Sequence, residues 1–357
     1  MPNERSRPRR QHGTGPVTLQ DVAQRAGVSL ATASRALHGA GGRSVGETMR
    51  AKVLAAAEEL RYVSNAPAQA LARASSSVVG LIVHDVADPY FAAIAAGAMR
   101  AARAQQLMVM IAATFREPGL ELEYLRRLRA QRARAVVLAG SGLADPARNG
   151  PLLEEIAAFR QEGGRVVSIG DRGPGVDAVL PDQRLGAEQA VRALWELGHR
   201  RIGVVAGPGE LTTVQQRLDG ARQALLAMGG ELPPERVVHA DFTRAGGRAA
   251  TVDLFARTPD LTAVLALNDV MAAGCLLALR GDVGRAVPGE VSVVGFDDVP
   301  FAVDLRPALS TVRLPLETAG ARALELVALE WTTVARRVPL ETELIQRDST
   351  GPAPGPR

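Results

Sequence analysis

Residues 16–77 read PVTLQDVAQRAGVSLATASRALHGAGGRSVGETMRAKVLAAAEELRYVSNAPAQALARASSS, and they decide the architecture because they spell two short helices meeting at a tight turn. Thr18 is placed to cap a first helix, with Asp21 three residues on, where a carboxylate meets the positive helix end. Val22, Ala23 and Ala26 recur at helical spacing and predict its inner face. Gly27 ends it, Val28 plugs the corner, and Ser29 caps a second helix through Leu37. A helix-turn-helix lays the start of its second helix in the DNA major groove. The DNA-facing set is then Thr18, Ser29, Leu30, Ala31, Thr32, Ser34 and Arg35, with Ala33 and Leu37 inward. Leu30 and Ala31 carry no donors and either read methyl groups or pack. Arg35 has two open readings, a bidentate grip on guanine or a clamp on phosphate. A third helix is expected from Gly46 to about Leu60, with Val53, Leu54, Ala57 and Leu60 inward.

Charge segregates onto this module. Residues 1–77 hold eleven Lys or Arg against five acids, +6, so the rest of the chain carries −2 of the total +4. Positive charge concentrated on one module suits phosphate binding by counterion release. Arg5, Arg7, Arg9 and Arg10 form a basic arm over 1–15, read as disordered.

The pattern V-T-L-x-D-V-A-x-x-A-G-V-S-x-A-T-x-S-R-x-L, followed by A-A-A-E-E-L-R-Y-V-S-N and A-x-A-L-A-R, resembles the LacI/GalR family of bacterial transcription regulators over about sixty residues. The resemblance implies that 64–77 is a hinge that becomes helical on the operator, with Asn65, Ala68, Gln69 and Leu71 at the family's DNA-contacting positions and Leu71 as an intercalating wedge. Read without it, NAPAQALARASSS is an Ala/Ser-rich linker. His38, Gly46 and the loop GAGGRS depart from the family pattern, so an operator sequence does not transfer.

Beyond the module, roughly 280 residues remain, ample for a core in a chain that is 46% hydrophobic. No apolar run reaches about 18 residues and the N-terminus is charged, which predicts no membrane span or secretory signal and a cytoplasmic protein. The single cysteine, Cys275, is read as a small buried residue, and the five histidines lack metal-ligand spacing, so neither metal nor cofactor is expected. Seven apolar runs read as buried strands: 78–83, 107–113, 135–140, 165–170, 201–207, 262–267 and 291–296. Helical segments at 91–105, 119–131, 185–197, 215–228, 246–257 and 269–280 lie between them. Repeated strand-helix units predict an α/β body of two doubly wound parallel sheets, with ligand bound at the strands' carboxyl ends. Those ends carry no G-x-S-x-G and no phosphate loop, and GPGELT lacks the last glycine of a dinucleotide fingerprint, so binding is the better reading than catalysis.

DPYF, S-I-G-D, E-L-G-H-R-R-I-G-V-V-A-G-P, S-V-V-G-F-D-D and the closing T-E-L-I-Q-R-D-S-T extend the same family resemblance to about residue 350. It implies a small all-α helix-turn-helix head on a two-lobed body similar to periplasmic binding proteins. It also implies an N-lobe at about 78–181 and 314–338, a C-lobe at about 182–312 and 339–350, and a disordered tail over 351–357. By position it implies effector contacts at Tyr90, Phe91, Asp171, Arg217, Phe242, Asn268 and Asp297; Asp171 and Asp297 equally read as helix caps. His199, Arg200, Asp182, Asp269 and Asp298 read as structural, and Leu314 stands where the family often carries a polar residue. The implied partners are double-stranded operator DNA, a small-molecule effector (a sugar first, a purine or nucleoside second) and a second copy of the chain. Two-fold symmetry in turn predicts a pseudo-palindromic operator. A solute-binding protein would need an export signal, and a sugar-processing enzyme would need a catalytic constellation the sequence lacks.

Overall fold

The computed structural model describes residues 17–38, 45–63, 76–117, 119–173, 175–330 and 332–355, and the chain divides into two compact units, Met1–Ser76 and Ser77–Arg357. The basic arm, the loop at 39–44 and the hinge residues Asn65, Ala68, Gln69 and Leu71 lie outside the described residues.

In the first unit, α1 (Leu19–Ala26), α2 (Leu30–His38) and α3 (Glu47–Glu59) enclose a core of Val22, Ala23, Ala33, Ala36, Val53 and Ala56. The cap on α1 is reciprocal: the Asp21 amide donates to Thr18 Oγ1 at 3.3 Å, and the Thr18 amide donates to the Asp21 carboxylate at 2.8 Å. Gly27 takes φ 68°, and the Val28 amide turns back to the Ala23 carbonyl at 3.0 Å. Leu54 departs from expectation, being 47% exposed. It lies about 100° around α3 from Val53, whereas Ala56, three residues on, returns to the same stripe and is buried instead.

The second unit holds two six-stranded sheets. The first uses β1 (Val78–Val83), β2 (Met108–Ala113), β3 (Ala135–Ala139), β4 (Arg165–Ile169), β5 (Asp177–Pro181) and β11 (Arg337–Leu340), in the order β11-β5-β4-β3-β1-β2, all parallel. The second uses β6 (Ile202–Ala206), β7 (Val237–His239), β8 (Ala263–Ala266), β9 (Ser292–Asp297), β10 (Ser310–Arg313) and β12 (Glu343–Ile345), in the order β12-β10-β9-β8-β6-β7. Its pairs are parallel except that β12 runs antiparallel to β10. The strands read from apolar runs are β1, β2, β3, β4, β6, β8 and β9. The unread ones are three to five residues long and sit toward the sheet edges.

Six helices answer the predicted segments: α4 (Pro89–Ala104), α5 (Leu120–Ala130), α7 (Gln183–Glu196), α8 (Thr212–Ala227), α9 (Arg244–Arg257) and α10 (Asp269–Ala278). Two more, α6 (Gly150–Gln161) and α11 (Leu316–Ala328), were not anticipated. The chain passes between the sheets three times: after β5, after β10, and between β11 and β12. Leu340 still pairs with Pro181 in the first sheet, so the last passage falls two residues beyond the expected lobe boundary at 338.

The second passage delivers α11 onto α4 at very short range. A Cβ on Gly97 would sit 1.9 Å from the Glu317 carbonyl oxygen, and one on Gly320 would sit 2.0 Å from that of Ile94. The tail also differs from expectation. The Gly351 amide donates to Ser292 Oγ at 3.0 Å and the Ala353 amide to the Leu197 carbonyl at 2.8 Å, so backbone bonds order these residues despite their Gly/Pro-rich sequence. His199, fully buried, bonds Thr262 Oγ1, Ser292 Oγ and the Gly351 carbonyl, the structural part read for it. Cys275 is buried, as expected.

The α4–α11 contact predicts that Gly97→Ala lowers stability by at least about 2 kcal/mol, because the new methyl meets backbone that no rotamer can move. Thermal and urea unfolding followed by circular dichroism measure this, and an unchanged midpoint would contradict the packing.

Candidate functional site

Two surfaces gather polar groups. On the head, the Thr32 amide donates to Ser29 Oγ at 3.2 Å, and the two hydroxyls lie 2.8 Å apart, so Ser29 caps α2 and fixes the Thr32 rotamer. Leu30 is 51% exposed and Ala31 is exposed beside it, whereas Ala33 and Ala36 are buried. An apolar side chain left open at the first position of α2 stabilises nothing in the head itself. Arg35 Nε donates to the Ala31 carbonyl at 3.2 Å, which lays the side chain along the helix surface. Ser34 is half-buried, and Thr18 is exposed with its hydroxyl in the capping box.

In the second unit, a cavity opens between the two sheets. Of the seven residues expected at a ligand, six line it: Tyr90, Phe91, Arg217, Phe242, Asn268 and Asp297. Asp171 does not. It starts no helix; its carboxylate accepts from the Gly173 amide at 2.9 Å and pairs with Arg337 at 2.5 Å on the wall of an adjacent cavity. Those bonds hold the Asp171 carboxyl below the usual range against the opposing effect of partial burial.

Arg217 forms the floor. Nε donates to Gln183 Oε1 at 2.8 Å, Nη2 to Asp297 Oδ1 at 3.1 Å and Nη1 to the Leu267 carbonyl, with the guanidinium stacked 3.8 Å from the Phe296 ring centre. Asp297 caps no helix either. It sits at φ 114°, followed by Asp298 at φ 55°, two non-glycine residues in the left-handed half of the map at the end of β9. Burial drives the Asp297 carboxyl well above the ordinary carboxylate range, with Arg217 opposing. Asp298 is held from the other side by Arg313 at 2.7 Å and Arg347 at 2.6 Å. Asn268 caps α10, its Oδ1 accepting from the Met271 amide at 2.7 Å, which leaves its side-chain NH2 as the group available to a ligand.

The opposite wall holds residues that the sequence reading passed over. His84 follows β1, its Nδ1 lies 3.1 Å from Thr114 Oγ1, and its ring meets Phe91 edge-on at 5.6 Å. Arg116, at φ 59°, stands 5.3 Å over the Phe242 ring and 3.9 Å from the Asp88 carboxylate, which itself caps α4 through the Tyr90 amide. His84 Nε2 and Arg116 Nε are buried with no hydrogen-bond partner among the described residues, and both residues line the cavity. Buried polar atoms are nearly always paired, so two unpartnered nitrogens on residues of one cavity wall single that wall out. Burial lowers His84 to about 4, which keeps the ring neutral at physiological pH.

A clasp crosses the cleft beside this cavity. Leu143 and Leu211 form an antiparallel bridge, flanked by bonds from the Ala144 amide to the Glu210 carbonyl, the Thr212 amide to the Gly142 carbonyl and the Thr213 amide to Ser141 Oγ, at 2.8 to 2.9 Å.

The profile of bacterial regulatory proteins of the lacI family matches residues 18–65, and that of a periplasmic binding protein-like domain matches residues 191–350. The transcriptional regulator GalS of Salmonella typhimurium is 36% identical over 87% of this chain and 88% of its own length. A solved complex of the transcriptional regulator CelR with cellobiose is 33% identical, with TM-score 0.68 over 93% of this chain and 99% of that one. The lac repressor dimer bound to operator and an anti-inducer is 26% identical, with TM-score 0.81 over 94% of this chain and 100% of that one.

The lowered His84 value sets a pH expectation. The unfolded chain takes up a proton near 6.5 and the folded chain only near 4, so His84 contributes stability above pH 6.5 that is lost as pH falls toward 4. Imidazole NMR shifts should titrate near 4; an inflection near 6.5 would show that the ring is not enclosed.

Proposed function

The chain belongs to the lacI family of bacterial regulatory proteins, and we propose that it is a repressor that binds a pseudo-palindromic operator as a homodimer and answers to a sugar held between its two lobes. The observation that carries this reading is the presence in one chain of an open Leu30 to Arg35 face on a capped helix-turn-helix and a cleft lined by aromatic and polar residues, two of which keep a buried nitrogen without a partner. Tyr90, Phe242 and the Asn268 amide suit a sugar ring, with flat apolar faces for its C–H surface and a donor for its hydroxyls. The CelR–cellobiose complex supports a sugar over a purine or nucleoside. Arg217, Gln183 and Asp297 hold one another, and no activated nucleophile is gathered among the described cleft residues, which supports binding without catalysis. No helix among the described residues is long and apolar enough to cross a membrane, in keeping with action on chromosomal DNA in the cytoplasm.

In this reading the sugar makes different contacts in two lobe arrangements and biases one of them. The hinge segments of the dimer respond, and the wedge at Leu71 acts on the operator only when they are paired. A coupling of about 1 to 3 kcal/mol, roughly 5- to 150-fold in operator affinity, is enough for regulation and acts reciprocally on sugar affinity. Arg35→Ala should cost about 1 to 3 kcal/mol at the operator, measured by fluorescence anisotropy. Equal loss on operator and shuffled DNA would make Arg35 a phosphate clamp. Phe242→Ala should weaken the sugar response at least tenfold while leaving sugar-free operator affinity intact. DNA affinity that is insensitive to salt and to deletion of residues 1–77 would sink the regulator reading itself.

A further inference from the structure

A second cavity adjoins the first and shares Tyr90, Gly140 and Thr213 with it. Its polar wall consists of Asp171, Asp182, Gln183, Arg184, Gln216 and Arg337. Gln183 belongs to both environments: its Oε1 accepts from Arg217 under the first cavity, and its side chain lines the second.

Most of the charged groups lining the two cavities already have protein partners. In the second, Asp171 pairs with Arg337, Arg184 lies 3.4 Å from Asp219, and Asp182 caps α7 through the Leu185 amide. In the first, Arg217 pairs with Asp297 and Arg116 with Asp88. Two acids and two bases line each cavity, so the formal charges balance in each. A phosphate or carboxylate brought here would have to break an existing pair or remain uncompensated, and both are costly. Uncharged hydroxyls can instead bond to the outer lone pairs and N–H groups of these paired side chains without separating them.

The geometry points to an uncharged sugar of two or more rings as the effector: one ring in the first cavity, lined by Phe242, His84 and Arg116, and the next past Tyr90 and Thr213 into the cavity walled by Asp171, Arg337 and Gln216. This rests on the sugar-responsive reading above and narrows it to a substrate class. Asp171, placed away from the other six expected contacts, then acquires a part, since it meets the second ring.

The test is isothermal titration calorimetry of the full-length protein with cellobiose, maltose and lactose, with glucose and galactose, with glucose 6-phosphate, and with adenosine and guanosine. At least one disaccharide should bind tenfold or more tightly than either of its constituent monosaccharides, and glucose 6-phosphate should bind no better than glucose. Gln216→Trp, which fills only the second cavity, should weaken that disaccharide at least tenfold and leave the monosaccharide within twofold. A monosaccharide binding as tightly as every disaccharide overturns the two-ring assignment and leaves the sugar-responsive repressor intact, and tighter binding of glucose 6-phosphate overturns the uncharged class. Binding of a nucleoside alone, or of no probe, overturns both readings.

Discussion

The cleft depends on one buried cation. Arg217 is 3% exposed and Asp297 4%, and taking both from water costs several kcal/mol per ion unless every remaining polar atom is satisfied. Here the Gln183 oxygen, the Leu267 carbonyl and the Phe296 face complete the guanidinium's surroundings. Those partners come from the start of α7, the end of β8 and the end of β9, while Arg217 itself lies on α8. One side chain therefore fixes where four elements meet, and their meeting point is the cavity floor. The same bond offsets the unfavourable backbone at Asp297: a residue at φ 114° persists because the surrounding contacts over-determine it. Losing either partner would leave a buried charge alone, so the pair acts as a constraint on geometry more than as a source of stability.

Much of this was legible in the sequence because it is local. Thr18, Asp21, Gly27 and Ser29 specify their helix ends through bonds spanning three to five residues, and the long buried strands declare themselves as unbroken apolar runs. The short strands β5, β7, β10, β11 and β12 carry no such run, and they are fixed as strands by pairing in the sheets, which for β11 and β12 joins distant parts of the chain. Leu54 misled because a helical repeat in a small head admits two adjacent stripes, and only the packing of three helices chooses between them.

The ligand wall shows the same division. Tyr90, Phe91, Arg217, Phe242, Asn268 and Asp297 were implied by position in the family resemblance, and all six line the first cavity. His84 and Arg116 stand just past strands, but a lone histidine without metal spacing and an arginine in an arginine-rich chain carry no signal by themselves. Their interest arises only when burial leaves Nε2 and Nε without partners, a fact of three dimensions. Asn268 shows the reverse: its oxygen caps a helix, so a residue read as a ligand contact keeps only half of its hydrogen-bonding capacity for one.

The clasp between residues 141–144 and 210–213 bears on rates. It joins the lobes by backbone hydrogen bonds on one side of the cavity, so opening that side breaks several bonds at once and proceeds cooperatively. A guest that entered or left by this side would have to wait for the Leu143 to Leu211 bridge to open, so its rates there would follow the frequency of that opening.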